Sequence, residues 1–133
     1  MDCNCITIDK THSKIEFCDL MTKDKKFIHI KRYGGSSVLS HLFSQGLVSG
    51  ELFLRDTKFR EKVNEKLPDS FKISNVKAKP IASQHEVVYG IISSCSEDLD
   101  IPFFSKVSLR TAKNRLETFG YKVSLLKIST NGN

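Results

Sequence analysis

The chain has 133 residues, of which 39% are hydrophobic and 27% charged, with a formal net charge of +6. That length and mixture suit one domain over residues 1–133 with one core, and they exclude a low-complexity or disordered chain. No apolar run approaches the length of a membrane span and no signal-peptide pattern opens the chain, so a cytoplasmic protein with no membrane partner is expected.

Residues 4–9, 14–20 and 26–32 read as three strands in a meander, from their alternation and their β-branched and aromatic content. Lys10 to Ser13 and Thr22 to Lys25 supply the polar turns. Gly34-Gly35 ends the third strand, and Ser36 or Ser37 is the expected N-cap of a helix. Over 37–54 the period becomes helical, with Val38, Leu39, Leu42, Phe43, Leu47 and Leu54 as its apolar face. Ser37, His41, Gln45 and Ser49 recur every four residues as an uncharged, hydrogen-bonding stripe that suits a site.

A second helix over 56–66 stops before Pro68, and 69–84 reads as a loop with one short strand. The near-continuous apolar run 85–93 reads as a central strand. An acidic loop at 94–100 leads to a helix over 105–119, with Val107, Leu109, Ala112, Leu116 and Phe119 inward and Gly120 as its stop. A strand over 121–128 closes the chain. The order is β-β-β-α-α-β-α-β, which gives an α/β (α+β) fold with a mixed central sheet and helices on its faces.

A hairpin centred on Asp24 sets Asp19 opposite His29, and alternation puts Lys31 on the face of His29. An acid, a possible second ligand and a lysine then share one sheet face. The plain alternative is an Asp19–Lys31 salt bridge with His29 as an ordinary strand residue. Glu16, Glu51 and Asp9 are the other carboxylates nearby; alternation, helical angle and hairpin position turn each away. Cys3, Cys5, Cys18 and Cys95 lack the paired spacing of a structural zinc site and read as reduced, partly buried thiols. The excess of positive charge favours a polyanionic partner.

Asp19, a short loop and His29-Ile30-Lys31 resemble the motif of the PD-(D/E)XK, or restriction-endonuclease-like, nuclease superfamily. The helix SSVLSHLFSQGLVSG is similar to one that often carries a glutamine beside that active site. More closely, IHIKRYGGSSVLSHLFSQG and IPFFSKVSLRTAKNRLETFGYKV resemble the C-terminal part of a sporadically distributed bacterial family of unknown function. The nuclease core is a helix, a three-stranded meander, a helix and a strand. Its first helix has no counterpart ahead of the strand at 4–9, so a homodimer or a partner protein is expected to supply it.

The nuclease resemblance implies a metal-dependent phosphodiester-cleaving enzyme acting on DNA rather than RNA, in bacterial defence. One or two Mg²⁺ or Mn²⁺ ions would be held by Asp19, His29 and the carbonyl of Ile30. Lys31 would serve the attacking water, and Gln45 would position substrate, making Asp19, His29, Lys31 and Gln45 the catalytic set. Lys26, Arg32, Ser37 and His41 would contact the nucleic acid. A histidine at position 29, where the superfamily carries a carboxylate, suits Mn²⁺ or a general base. The other reading is a catalytically inactive nuclease-like fold that binds DNA or assembles with protein.

Overall fold

A computed structural model of the chain describes residues 5–7, 18–22, 24–33, 36–93 and 101–129. Its first elements are three antiparallel strands: β1 (Cys5–Thr7), β2 (Leu20–Thr22) and β3 (Lys26–Arg32). Leu20 pairs with Ile28 and Met21 with Phe27, the register of a hairpin centred on residue 24. Lys25 closes the turn in a left-handed conformation (φ 68°), donating its N–H to the Thr22 carbonyl at 3.0 Å. Residues 8–17 lie outside the described set, so the expected strand over 14–20 is seen only at its end.

Two parallel crossovers follow. The helices α1 (Ser36–Arg55) and α2 (Thr57–Lys66) lead to β4 (Glu86–Ser93), and α3 (Phe103–Phe119) leads to β5 (Lys122–Ser129). The sheet runs β1-β2-β3-β4-β5, with β3, β4 and β5 parallel, which makes a mixed α+β fold with β4 paired on both sides. Helices that follow neighbouring parallel strands run the same way. The Ser108 hydroxyl donates to Ser40 Oγ at 3.1 Å, so α1 and α3 lie side by side with both N-termini at the carboxyl ends of β3 and β4.

The core lies between this helical pair and the sheet. Leu39, Leu42 and Phe43 of α1 meet Phe27, Val87, Tyr89 and Ile91, the alternate residues of β3 and β4. Two tyrosines fasten α1 from below. Tyr89 Oη donates to the Phe43 carbonyl at 2.8 Å and Tyr121 Oη to the Gly50 carbonyl at 2.6 Å. Gly46 makes the approach possible, because a Cβ there would stand 2.4 Å from Tyr89 Oη. Burial raises both phenol pKa values.

Helix α3 ends as predicted. Gly120 is left-handed (φ 109°), its N–H donates to the Glu117 carbonyl, and Tyr121 N–H donates to that of Leu116. Three expectations need correction. Val38 and Val107 point outward rather than into the core, because the α1–α3 seam passes through Ser40 and Ser108 and puts Ser105 inside instead. Residues 69–84 form two single turns, Asp69–Phe71 and Ala82–Gln84, with no strand. Asn64 takes both backbone groups of Ile73, and Arg60 takes the Val76 carbonyl, so these groups bond to side chains instead of a ladder.

Candidate functional site

The predicted trio sits where β2 enters its pairing with β3. Asp19 N–H donates to the Ile28 carbonyl at 2.9 Å, and Asp19 Oδ2 accepts the Ile30 N–H at 2.6 Å. The carboxylate therefore lies against the backbone of β3, held by a charge-assisted hydrogen bond. Continuing the observed register puts Asp19 opposite His29, as expected.

His29 departs from an open site. It is 3% exposed and lies on the helix-covered face, its ring 5.9 Å from that of Tyr89. Its register partner on β4 is Tyr89 itself, which fills the space between the sheet and α1. The ligand set expected at Asp19, His29 and the Ile30 carbonyl brings one half-buried carboxylate, already bonded to the Ile30 N–H, and one buried imidazole, a poor fit to a hard divalent ion that wants several oxygens. Among the described residues no group of three or more His, Cys, Asp or Glu side chains is arranged to hold a metal.

Lys31 is exposed at the carboxyl end of β3, with Arg32 and Tyr33 after it. Tyr33 N–H donates to the Ile92 carbonyl at 2.7 Å, which carries the β3–β4 pairing one residue past the strand. Lys31 makes no ion pair with a described residue, so the Asp19–Lys31 bridge does not form. Lys26 belongs elsewhere. It is five residues away at the other end of β3, roughly 17 Å off, and pairs with Asp24 at 3.9 Å.

The stripe on α1 is divided by depth. Ser37 and His41 are exposed near the carboxyl ends of the strands, and Gln45 is half-buried. Ser49 is buried and donates to the Gly46 carbonyl at 3.3 Å, so it is structural. Gly46 rests on Tyr89, the partner of His29, which puts Gln45 at the level of His29 rather than of Lys31.

Charge is segregated along the helical pair. Neither α1 nor α3 has an acidic residue in its first turn. The described carboxylates of these helices lie farther along. Glu51 pairs with Arg55 at 3.6 Å and with Arg115 at 3.9 Å, and Glu117 pairs with Lys113 at 3.3 Å. Lys31, Arg32, Lys106 and Arg110 make no ion pair with a described residue. Lys31, Arg32 and Lys106 lie toward the end where both helices begin, where backbone N–H groups add positive potential, and Arg110 lies midway along α3.

Residues 1–129 match a family of unknown function, DUF6119. The chain belongs to the DUF6119 family. No curated protein and no solved structure matches it. Among the described residues of this DUF6119 chain, no helix is long and apolar enough to cross a membrane.

Sequence reasoning missed three features of this DUF6119 chain. His85 is buried between the rings of Phe27 and Phe53, with no hydrogen-bond partner on Nδ1, and burial together with Lys25 lowers its pKa to about 4. Arg60 is buried and serves carbonyls at the end of α1. Phe103 and Phe104 are exposed at the start of α3. A pair of aromatics directly after a proline, ahead of the periodic apolar run, was the available signal for the last.

Proposed function

We propose that this domain binds nucleic acid at the carboxyl end of its parallel strands, on a restriction-endonuclease-like framework. The observation that carries the reading is the segregation of charge. Lys31, Arg32, Lys106 and Arg110 make no ion pair with a described residue, while Glu51 and Glu117 occupy paired positions farther along the helices. The framework is supported by the order meander, helix, strand, with β4 parallel to β3. Burial of His29 favours a binding module over a metal enzyme.

Binding is measured on labelled DNA and RNA across a salt series. If all four cations reach phosphates, log K falls with log salt with a slope of about −3 to −4. Lys31→Ala and Arg32→Ala each reduce that slope by about one. Salt-independent affinity, or no binding at about 50 mM salt, removes the reading.

A second reading, phosphodiester cleavage in defence against foreign DNA, is favoured by one contact. Asp19 Oδ2 lies 2.6 Å from the Ile30 nitrogen, which keeps a carboxylate beside the Ile30-Lys31 backbone as the resemblance requires. Incubation of plasmid, linear and single-stranded substrates with Mg²⁺ and with Mn²⁺ tests it. Cleavage that Asp19→Ala and Lys31→Ala both abolish establishes it, and absence of cleavage in both metals removes it.

A further inference from the structure

Phe103 and Phe104 are 71% and 72% exposed, far beyond what a core-forming helix needs of its aromatic residues. Val107 follows one turn later, and Val38 and Tyr33 are exposed at the same end of the molecule. Five of the nine exposed large hydrophobic side chains among the described residues therefore gather where α1 and α3 begin. Scattered single hydrophobics are ordinary on a surface, but a group of this kind marks an interaction site.

The surroundings decide the chemistry of the occupant. On a helix Phe103, Val107 and Arg110 fall on one stripe, with Lys106 beside it and Phe104 turned toward α1. Lys31 and Arg32 end β3, which lies beside β4 and finishes at the same end of the sheet. The Phe103 and Phe104 rings meet edge to face, with centroids 5.5 Å apart and planes at 74°, so each keeps at least one face that the other does not cover. A ligand that meets flat apolar faces together with cations unpaired among the described residues carries flat apolar groups on a polyanionic backbone. Duplex nucleic acid offers the charge but keeps its bases stacked inside, whereas a single strand offers both.

We infer that Phe103 and Phe104 are a base-stacking platform, and that the domain takes single-stranded nucleic acid, with its backbone along Lys31, Arg32, Lys106 and Arg110. This inference rests on the nucleic-acid reading above and narrows it to a substrate class. Glu97, Asp98 and Asp100 precede α3 in the sequence and lie outside the described residues, so the measurements use the whole chain.

The experiment compares a labelled oligothymidylate with a hairpin duplex of equal charge, by fluorescence anisotropy at low salt. The single strand binds more tightly. Phe103→Ala and Phe104→Ala each weaken it about tenfold, with the salt slope unchanged and duplex binding unaffected. Lys106→Ala lowers the slope instead. The chain contains no tryptophan, so Phe104→Trp gives a direct reporter whose emission the oligothymidylate quenches by stacking. Equal affinity for strand and duplex, or phenylalanine variants that bind the strand like wild type, overturns the platform and leaves the nucleic-acid reading standing. Absence of binding to either probe overturns both. A change confined to oligomeric state in the phenylalanine variants shows instead that a second copy covers the patch, and overturns the platform.

Discussion

Replacing Gly46 by alanine tests how α1 is held over the site. In a helix exposed to solvent the change would stabilise the protein by about 1 kcal/mol, because alanine loses less backbone freedom. Here the added Cβ would stand 2.4 Å from Tyr89 Oη, 2.5 Å from Cε1 and 2.7 Å from Cζ. Tyr89 is fully buried, and its ring is packed against Phe43 with centroids 5.1 Å apart, so it has no room to retreat. Overpacking of this kind costs about 1–3 kcal/mol, and displacing the hydroxyl from the Phe43 carbonyl adds about 1 kcal/mol.

The net expectation for Gly46→Ala is a loss of about 1–3 kcal/mol, or roughly 3–10 °C in Tm for a domain of this size. Gly50→Ala is the internal control. Its Cβ would first meet the Leu116 Cδ2 at 2.8 Å, the movable end of a side chain, and then Tyr121 Cε2 at 3.3 Å. Thermal and urea unfolding followed by circular dichroism should rank Gly46→Ala as the more damaging of the two. A Gly46→Ala protein as stable as wild type, or more stable than Gly50→Ala, would refute the seating of α1 on Tyr89.

His85 should make stability depend on pH. Its folded pKa of about 4 lies below the ordinary 6.5, so between those values the unfolded chain binds a proton that the folded one refuses. Stability is complete above about pH 6.5 and falls toward pH 4, by an amount of order 3 kcal/mol; unfolding of His85→Leu compared with wild type should isolate that slope, and parallel curves would count against it. Arg60→Lys should cost more than 1 kcal/mol in urea unfolding. One ammonium cannot serve the Val76 carbonyl at 2.8 Å together with those of Phe53 and Leu54 at 2.8 and 3.1 Å, and a stability equal to wild type would show that they need no fork. Asp19→Asn should leave the fold intact with a loss of about 1 kcal/mol by calorimetry, because a neutral acceptor still reaches the Ile30 N–H; complete unfolding would mean that the charge itself holds the hairpin.

The local elements of this chain were legible because their causes are local. Polar turn residues, a two-residue alternation and a centred hairpin placed Leu20 opposite Ile28. Gly120 stopped α3 because its left-handed conformation suits glycine. Asp56 capped α2 through its own side chain, accepting the Phe59 N–H at 3.2 Å. The shared face of His29 and Lys31 followed from alternation alone, but depth along that face did not. His29 is buried beside Tyr89 while Lys31 reaches solvent, because Lys31 lies near the end of β3, where α1 only begins.

Only the tertiary structure decided which apolar positions stay outside. Periodicity gives a helix an apolar stripe, yet the neighbour it meets determines which part is covered. Pairing of Ser40 with Ser108 fixed that seam and left Val38 and Val107 outward. That Lys31 and Arg32 at the end of β3 share one end of the sheet with Phe103 and Phe104 at the start of α3 depended on parallel strands β3 and β4 lying adjacent. Their separation along the chain hides that neighbourhood from any sequence window, since it is produced by a crossover rather than by spacing.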